Sequence, residues 1–244
     1  MMHLDFEKKE SNCLLVKQQN DKFLIGVAAK NCNTVNYEQD FAKIRKYEKY
    51  CIHFETGTTP ENIYFINQQH EDNCVDIRTP ADISLPYFAD ADAMITGQKG
   101  ACLVIRTADC VPVLIADTSG KCIGAIHSGW RGTEKNVTAK TISCMCDNYG
   151  SKIEDLHAYI LPSIGVESYQ VDEEVATIFP DSSKKLNDRW HLDLRHAVVK
   201  QLLDMGIHRN SIFASPYDTF SSNELFFSHR KGDKGRNLNY ITLK

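Results

Sequence analysis

Three short apolar runs lie almost end to end in the middle of the chain: Ala101–Arg106 (ACLVIR), Val111–Ala116 (VPVLIA) and Cys122–His127 (CIGAIH). Runs this short and rich in Val, Ile and Leu read as buried strands. The few residues between them leave no room for a crossover helix, and Ser119-Gly120 supplies a hairpin turn. Neighbouring strands joined this way pair antiparallel or within a mixed sheet, which excludes a regular βαβ repeat.

The rest of the pattern fits an α+β fold. Lys22–Ala29, Ile63–Ile66, Ala158–Leu161 and Ser211–Ala214 read as further strands, the last of these as the final strand of the chain. Helices are expected at Phe41–Phe54, Thr133–Tyr149, Val171–Phe179 and Leu192–Met205. In the first, Phe41, Ile44, Tyr47, Cys51 and Phe54 recur at helical spacing. No repeat, low-complexity tract or Pro/Gly/Ser linker divides the 244 residues, so a single domain is expected over 1–244, with residues 1–20 forming an N-terminal strand or arm.

Composition narrows the class. A 42% hydrophobic content supports a sizeable core, and no apolar run approaches the ~20 residues of a membrane helix. A net charge of −4 argues against a dedicated nucleic-acid binder. Met1–Glu10 lacks the basic-then-apolar pattern of a secretory leader, so a cytoplasmic location is expected. The nine cysteines are scattered, with no Cys-x-x-Cys, and Cys144-Met145-Cys146 is too tight for a zinc-finger pair. Reduced thiols, not a disulfide framework, are expected.

Chemistry concentrates in Thr107-Ala108-Asp109-Cys110-Val111-Pro112 and His127-Ser128-Gly129-Trp130-Arg131-Gly132-Thr133. If the second and third runs form a hairpin, Cys110 and His127 meet at one end of the sheet. A thiol and an imidazole there make a metal half-site or a nucleophile–base pair; the plainer reading is a packed cysteine and a strand-end histidine. The glycine-rich turn into a helix, with Arg131, reads as an anion site, although a tight turn with Trp130 packed on the core reads equally well. His70, after the Ile63–Ile66 strand, is a candidate third ligand that spacing alone does not place. Asp109 and Asp92 are candidate acid/base groups. Arg230 and Arg236, in Phe226–Arg236, are candidate anion contacts in what otherwise reads as a solvated loop.

These segments resemble the laccase-domain, or YfiH-type, family, whose members have been described both as multicopper polyphenol oxidases and as purine nucleoside phosphorylases. Thr107–Pro112 matches its Thr-Ala-Asp-Cys-x-Pro stretch. His127–Thr133 matches its His-Ala-Gly-Trp-Arg-Gly-Thr stretch with Ser128 in place of Ala. Gln68–Glu71, Asp90–Ala93, Pro162–Gly165, Asp193–Arg195 and Phe226–Arg236 follow in order, so the resemblance covers roughly residues 20–244. It implies a layered α-β-β-α sandwich with mixed sheets and a zinc site of His70, Cys110 and His127. Cys110, His127 and Asp109 would be catalytic, and Arg131, Arg230, Arg236 and Lys30 would contact substrate or phosphate.

The implied activity is phosphorolysis of adenosine, inosine, guanosine and methylthioadenosine, with adenosine deamination as a second reaction. The expected partners are therefore a nucleoside and phosphate. Removal of L-serine from a UDP-linked muramyl precursor is the alternative, and a Cys–His thiol hydrolase a third. Copper is implied only by the older oxidase description, which needs several His-rich sites, whereas the nine histidines include no His-x-His. A binding module with a structural metal would need a fourth ligand. The chain departs from the family pattern at Lys30-Asn31-Cys32-Asn33, Glu71, Glu167-Ser168 and His229-Arg230-Lys231. These departures bear on substrate identity more than on the metal ligands.

Overall fold

A strand with apolar residues on both faces needs cover on both sides. Leu103 and Ile105 point into one buried cluster and Cys102 and Val104 into another. In the next strand Leu114 and Ala116 join the first of these clusters, while Val113 and Ile115 enter a third. The central cluster thus lies between two sheets, and each outer cluster lies between a sheet and its helices. This is the α-β-β-α sandwich expected above, built as one domain.

The computed structural model describes residues 1–9, 13–30, 40–82 and 84–244. Of the altered segment Lys30–Asn33, only Lys30 falls within the described residues. The strands are β1 (Met2–His3), β2 (Phe6–Lys8), β3 (Leu14–Val16), β4 (Phe23–Ala28), β5 (Ile63–Phe65), β6 (Cys74–Asp76), β7 (Ala93–Thr96), β8 (Cys102–Thr107), β9 (Val111–Asp117), β10 (Ile123–Ser128), β11 (Leu156–Ile160), β12 (Ser183–Leu186), β13 (Arg189–Leu192), β14 (Ile212–Ala214) and β15 (Asn237–Leu243). The helices are α1 (Phe41–Thr56), α2 (Trp130–Glu134), α3 (Val137–Tyr149), α4 (Glu173–Ile178) and α5 (Leu194–Asp204). None of the described helices is long and apolar enough to cross a membrane, and the described cysteines are free thiols.

The seven-stranded sheet runs β1-β14-β11-β9-β10-β7-β6 and the six-stranded sheet β2-β3-β4-β15-β8-β5. Both are mixed: β5 lies parallel to β8 and β6 parallel to β7, whereas β9/β10 and β4/β15 are antiparallel. α3 and α5 cover the outer face of the first sheet, and α1 covers that of the second.

Two expectations need correction. The last strand is β15, not 211–214; it lies in the middle of its sheet, between β4 and β8. The helix expected over 133–149 is two helices, because Asn136 adopts φ 62° and breaks the chain between α2 and α3. On α1, Tyr47 and Phe54 are exposed, while Ile44, Arg45, Glu48, Ile52 and Glu55 are buried.

Candidate metal and substrate site

The β9/β10 register pairs Pro112 with His127 and Val111 with Ser128. Cys110, one residue before β9, therefore sits beside the end of β10. The β8–β9 turn that carries Cys110 includes a cis peptide between Ala108 and Asp109. His70 arrives from the second sheet, in the loop after β5. Its imidazole meets that of His127 edge to face, with ring centroids 4.7 Å apart. The ligand atoms of His70, Cys110 and His127 all lie within 4.8 Å of one another.

One buried carboxylate organises this cluster. Asp92, immediately before β7, accepts from His127 Nδ1 at 2.7 Å and from the backbone N–H groups of Gln69 (3.1 Å), His70 (3.0 Å) and Glu71 (2.7 Å). Holding the proton on Nδ1 turns His127 Nε2 toward the cluster. The same carboxylate folds the loop that places His70 at φ 61°, a left-handed conformation that is costly for a non-glycine residue.

Burial alone would push the Cys110 thiol up, but His127 and His70 beside it outweigh burial and favour the thiolate. Burial likewise disfavours a charged His127, yet Cys110 and Asp92 raise its pKa. A nitrogen–sulfur–nitrogen donor set with a stabilised thiolate suits zinc. Gly129 leaves the space such an ion needs: a Cβ there would stand 3.1 Å from Cys110 Sγ and 3.2 Å from His70 Cδ2.

The cluster lines a cavity of about 390 Å³, large enough for a small-molecule ligand. Arg131 stands over Trp130, its guanidinium carbon 4.3 Å from the ring centroid, and makes no ion pair among the described residues. Arg230 lies over Tyr169, at 5.1 Å, and donates from Nη2 to the Gln170 carbonyl at 3.0 Å. Arg236 donates to the Gly235 and Lys234 carbonyls of its own loop. Arg131, Arg230 and Arg236 all line the cavity.

Lys30 and Asp109 stand in different relations to the cavity. Lys30 does not line the cavity, because its ammonium pairs with Asp233 at 2.8 Å and so ties down the loop that follows Arg230. Asp109 does line it, but both of its oxygens are engaged, Oδ1 by the Thr219 hydroxyl at 2.7 Å and Oδ2 by the Arg230 N–H at 3.0 Å. It braces the Arg230 loop. The expected helix N-terminus at Gly129 opens only the five residues of α2, too few for a strong dipole. Of the departures from the family pattern, His229 and Arg230 line the cavity; Glu71 and Lys135 form an ion pair, and Glu167 pairs with Lys184 at 2.9 Å. Sequence reasoning passed over Arg106, Tyr87 and Tyr169, which also line the cavity. Arg106 had a signal, as the one charge in an otherwise apolar run.

A family model described as multi-copper polyphenol oxidoreductase laccase matches residues 26–244. A purine nucleoside phosphorylase of Bacteroides thetaiotaomicron is 37% identical over 149 residues, a match spanning 57% of this chain and 55% of that protein. Purine nucleoside phosphorylase YfiH of Escherichia coli is 30% identical over 200 residues, 78% of this chain and 77% of that one. The crystal structure of a hypothetical protein YfiH from Bacillus licheniformis superposes with a TM-score of 0.88 at 24% identity, covering 98% of this chain and 99% of the other. The chain belongs to the multi-copper polyphenol oxidoreductase laccase family, the YfiH-type fold whose similar members include purine nucleoside phosphorylases.

Proposed function

We propose that this protein is a zinc-dependent purine nucleoside phosphorylase acting on adenosine, inosine, guanosine and methylthioadenosine, with adenosine deamination as a second reaction. The observation that carries this reading is the convergence of His70, Cys110 and His127 in a cavity lined by arginines. Relatives named purine nucleoside phosphorylases support it.

In phosphorolysis a phosphate oxygen bonds to ribose C1′ while the glycosidic bond breaks and its electron pair leaves with the base. Arg131 and Arg230 line the cavity and would contribute to holding the phosphate, which guanidinium forks bind in two-point fashion. Asp109 keeps the Arg230 backbone in register. Tyr87 and Tyr169 offer aromatic surface to the purine. His70, Cys110 and His127 would hold the zinc, which supplies a Lewis-acid position when bound. Asp92 orients His127 and shapes the His70 loop.

The test is incubation of zinc-quantified protein with adenosine, with and without phosphate, and identification of products by mass. Adenine and ribose 1-phosphate formed only with phosphate, at about one zinc per chain, is the expected result; inosine reports deamination. No turnover of any of the four nucleosides by zinc-loaded protein overturns the reading.

One observation favours a second reading. Cys110, His127 and Asp92 stand in the order nucleophile, base and orienting carboxylate. A thiol hydrolase would use the same residues on an amide or ester, would tolerate chelators and would be killed by thiol alkylation. Release of free L-serine from a muramyl precursor would identify an amidase.

A further inference from the structure

The buried face of α1 is charged where it could have been apolar. Arg45 and Glu48 are 1% and 0% exposed and form an ion pair one helical turn apart. Two charges taken out of water lose more hydration than their attraction returns, unless further polar partners are supplied. One such partner leads to the cavity: Glu48 Oε1 accepts from Arg106 Nε at 3.0 Å, and Arg106 lines the cavity wall from β8. On the other side, the Arg45 guanidinium lies 4.8 Å from the ring centroid of Tyr87, which lines the same cavity.

Arg106 is held from three directions. Gln68 Oε1 accepts from its backbone N–H at 2.9 Å, Gln68 Nε2 donates to its carbonyl at 2.8 Å, and Glu48 holds Nε. Its two Nη nitrogens make no hydrogen bond to any described residue, and the side chain is 17% exposed. A guanidinium pinned at Nε keeps its Nη edge in one orientation, which lowers the ordering cost of binding an anion there. Glu48 is shared between Arg45 and Arg106, so this one carboxylate does not by itself neutralise both guanidiniums.

We propose that Arg106 binds the anionic co-substrate from the second sheet, and that Glu48 is the positioning residue that aims it. Naming inorganic phosphate as that anion rests on the phosphorolysis reading; the geometry of Arg45, Glu48 and Arg106 does not.

The test titrates zinc-loaded, full-length protein with inorganic phosphate by calorimetry, beside steady-state KM values for phosphate and nucleoside. Arg106→Gln is expected to weaken phosphate binding at least about tenfold, the usual effect of losing a hydrogen bond to a charged group, and to raise the phosphate KM while leaving the nucleoside KM in place. Arg106→Lys, which keeps the charge and loses the Nε anchor, should recover only part of this. Glu48→Asp keeps a carboxylate for Arg45 and withdraws it from Arg106, so phosphate binding should weaken about threefold to tenfold, the usual net effect of one hydrogen bond, with zinc content unchanged. A wild-type protein that binds no phosphate overturns the proposal. So does an Arg106→Gln protein that melts as the wild type does and binds phosphate equally well. Wild-type affinity in Glu48→Asp with loss in Arg106→Gln removes Glu48 from it. Phosphate binding that depends on Arg106 without nucleoside cleavage would retain the anion site and discard phosphorolysis. Phosphate-dependent cleavage with an unchanged phosphate KM in Arg106→Gln would do the reverse.

Discussion

Replacing Asp92 by Asn separates charge and hydrogen bonding from shape, because the two side chains are nearly isosteric. Asp92 is fully buried and accepts four hydrogen bonds: His127 Nδ1 and the His70 N–H on Oδ1, and the Gln69 and Glu71 N–H groups on Oδ2. An amide has one oxygen, so in either orientation two of the four donors face an NH2 group instead of an acceptor. At about 1–3 kcal/mol for each buried donor left unsatisfied, the variant should lose about 2–6 kcal/mol. That is a large share of the roughly 5–15 kcal/mol that holds a typical domain together. One orientation gives up the His127 and His70 bonds and the other the Gln69 and Glu71 bonds, so either way part of the support for the His70 turn is lost, and zinc affinity should fall about 10–100-fold. Zinc competition against a chromophoric chelator reads the affinity, and urea melts with and without zinc read the stability. The stabilisation gained from zinc should shrink by about 1.4–2.7 kcal/mol, the equivalent of that affinity change. An Asp92→Asn protein with wild-type zinc affinity, or with an unchanged melt after metal removal, would refute the role given to this carboxylate.

Gly129 has φ −74° and ψ 171°, a conformation open to any residue, so Gly129→Ala should affect the site and spare the backbone. Its Cβ would crowd Cys110 and His70, and zinc affinity in the same competition assay should fall by roughly tenfold; an unchanged affinity would mean the ligands have slack. A metal chelator should abolish activity and added zinc restore it, whereas chelator-resistant activity lost on thiol alkylation would transfer the chemistry to Cys110 and His127. At Asp218, burial works against the charge, but the Ser168 hydroxyl and the Gly165 and Phe220 N–H groups outweigh it and hold the carboxyl below its usual range. Its stabilisation is complete above the unfolded pKa of about 3.9 and is lost as pH falls through the lower folded value. Asp218→Asn should therefore be less stable at pH 7 and show a shallower loss of stability below about pH 4, measured by urea melts across that range.

How far the sequence could be read depended on how local the determining contacts were. Cys110 and His127 could be brought together because β9 and β10 are consecutive strands joined by a tight turn, and such a hairpin places the start of one beside the end of the other. His70 could not, since its position follows from β5 lying parallel to β8, a pairing that no local pattern encodes. The strand β15 was hidden by its own polarity. Asn237 and Asn239 break the apolar alternation, yet both are buried, and Asn239 Nδ2 donates to the Ile105 carbonyl and the Thr107 hydroxyl of β8.

Helix α1 shows why periodicity can name a helix and still choose the wrong face. Counting apolar residues assumes that what is buried is apolar, and on that count Tyr47 and Phe54 should face the sheet. Both face solvent, while Arg45 and Glu48 are covered. A buried ion pair gains little stability over an apolar pair of similar size, so packing alone does not account for this orientation. What the orientation does achieve is to set a fixed carboxylate against Arg106, at the wall of the cavity that holds His70, Cys110 and His127. The charges that mislead the periodicity argument are thus the ones that connect the helix to the site. If that connection is what they serve, replacing Arg45 and Glu48 together with Met and Leu should leave a helix at least as stable in urea, while Arg106 loses its aim and phosphate binding weakens. A double variant that keeps wild-type phosphate affinity would return the pair to a purely structural role.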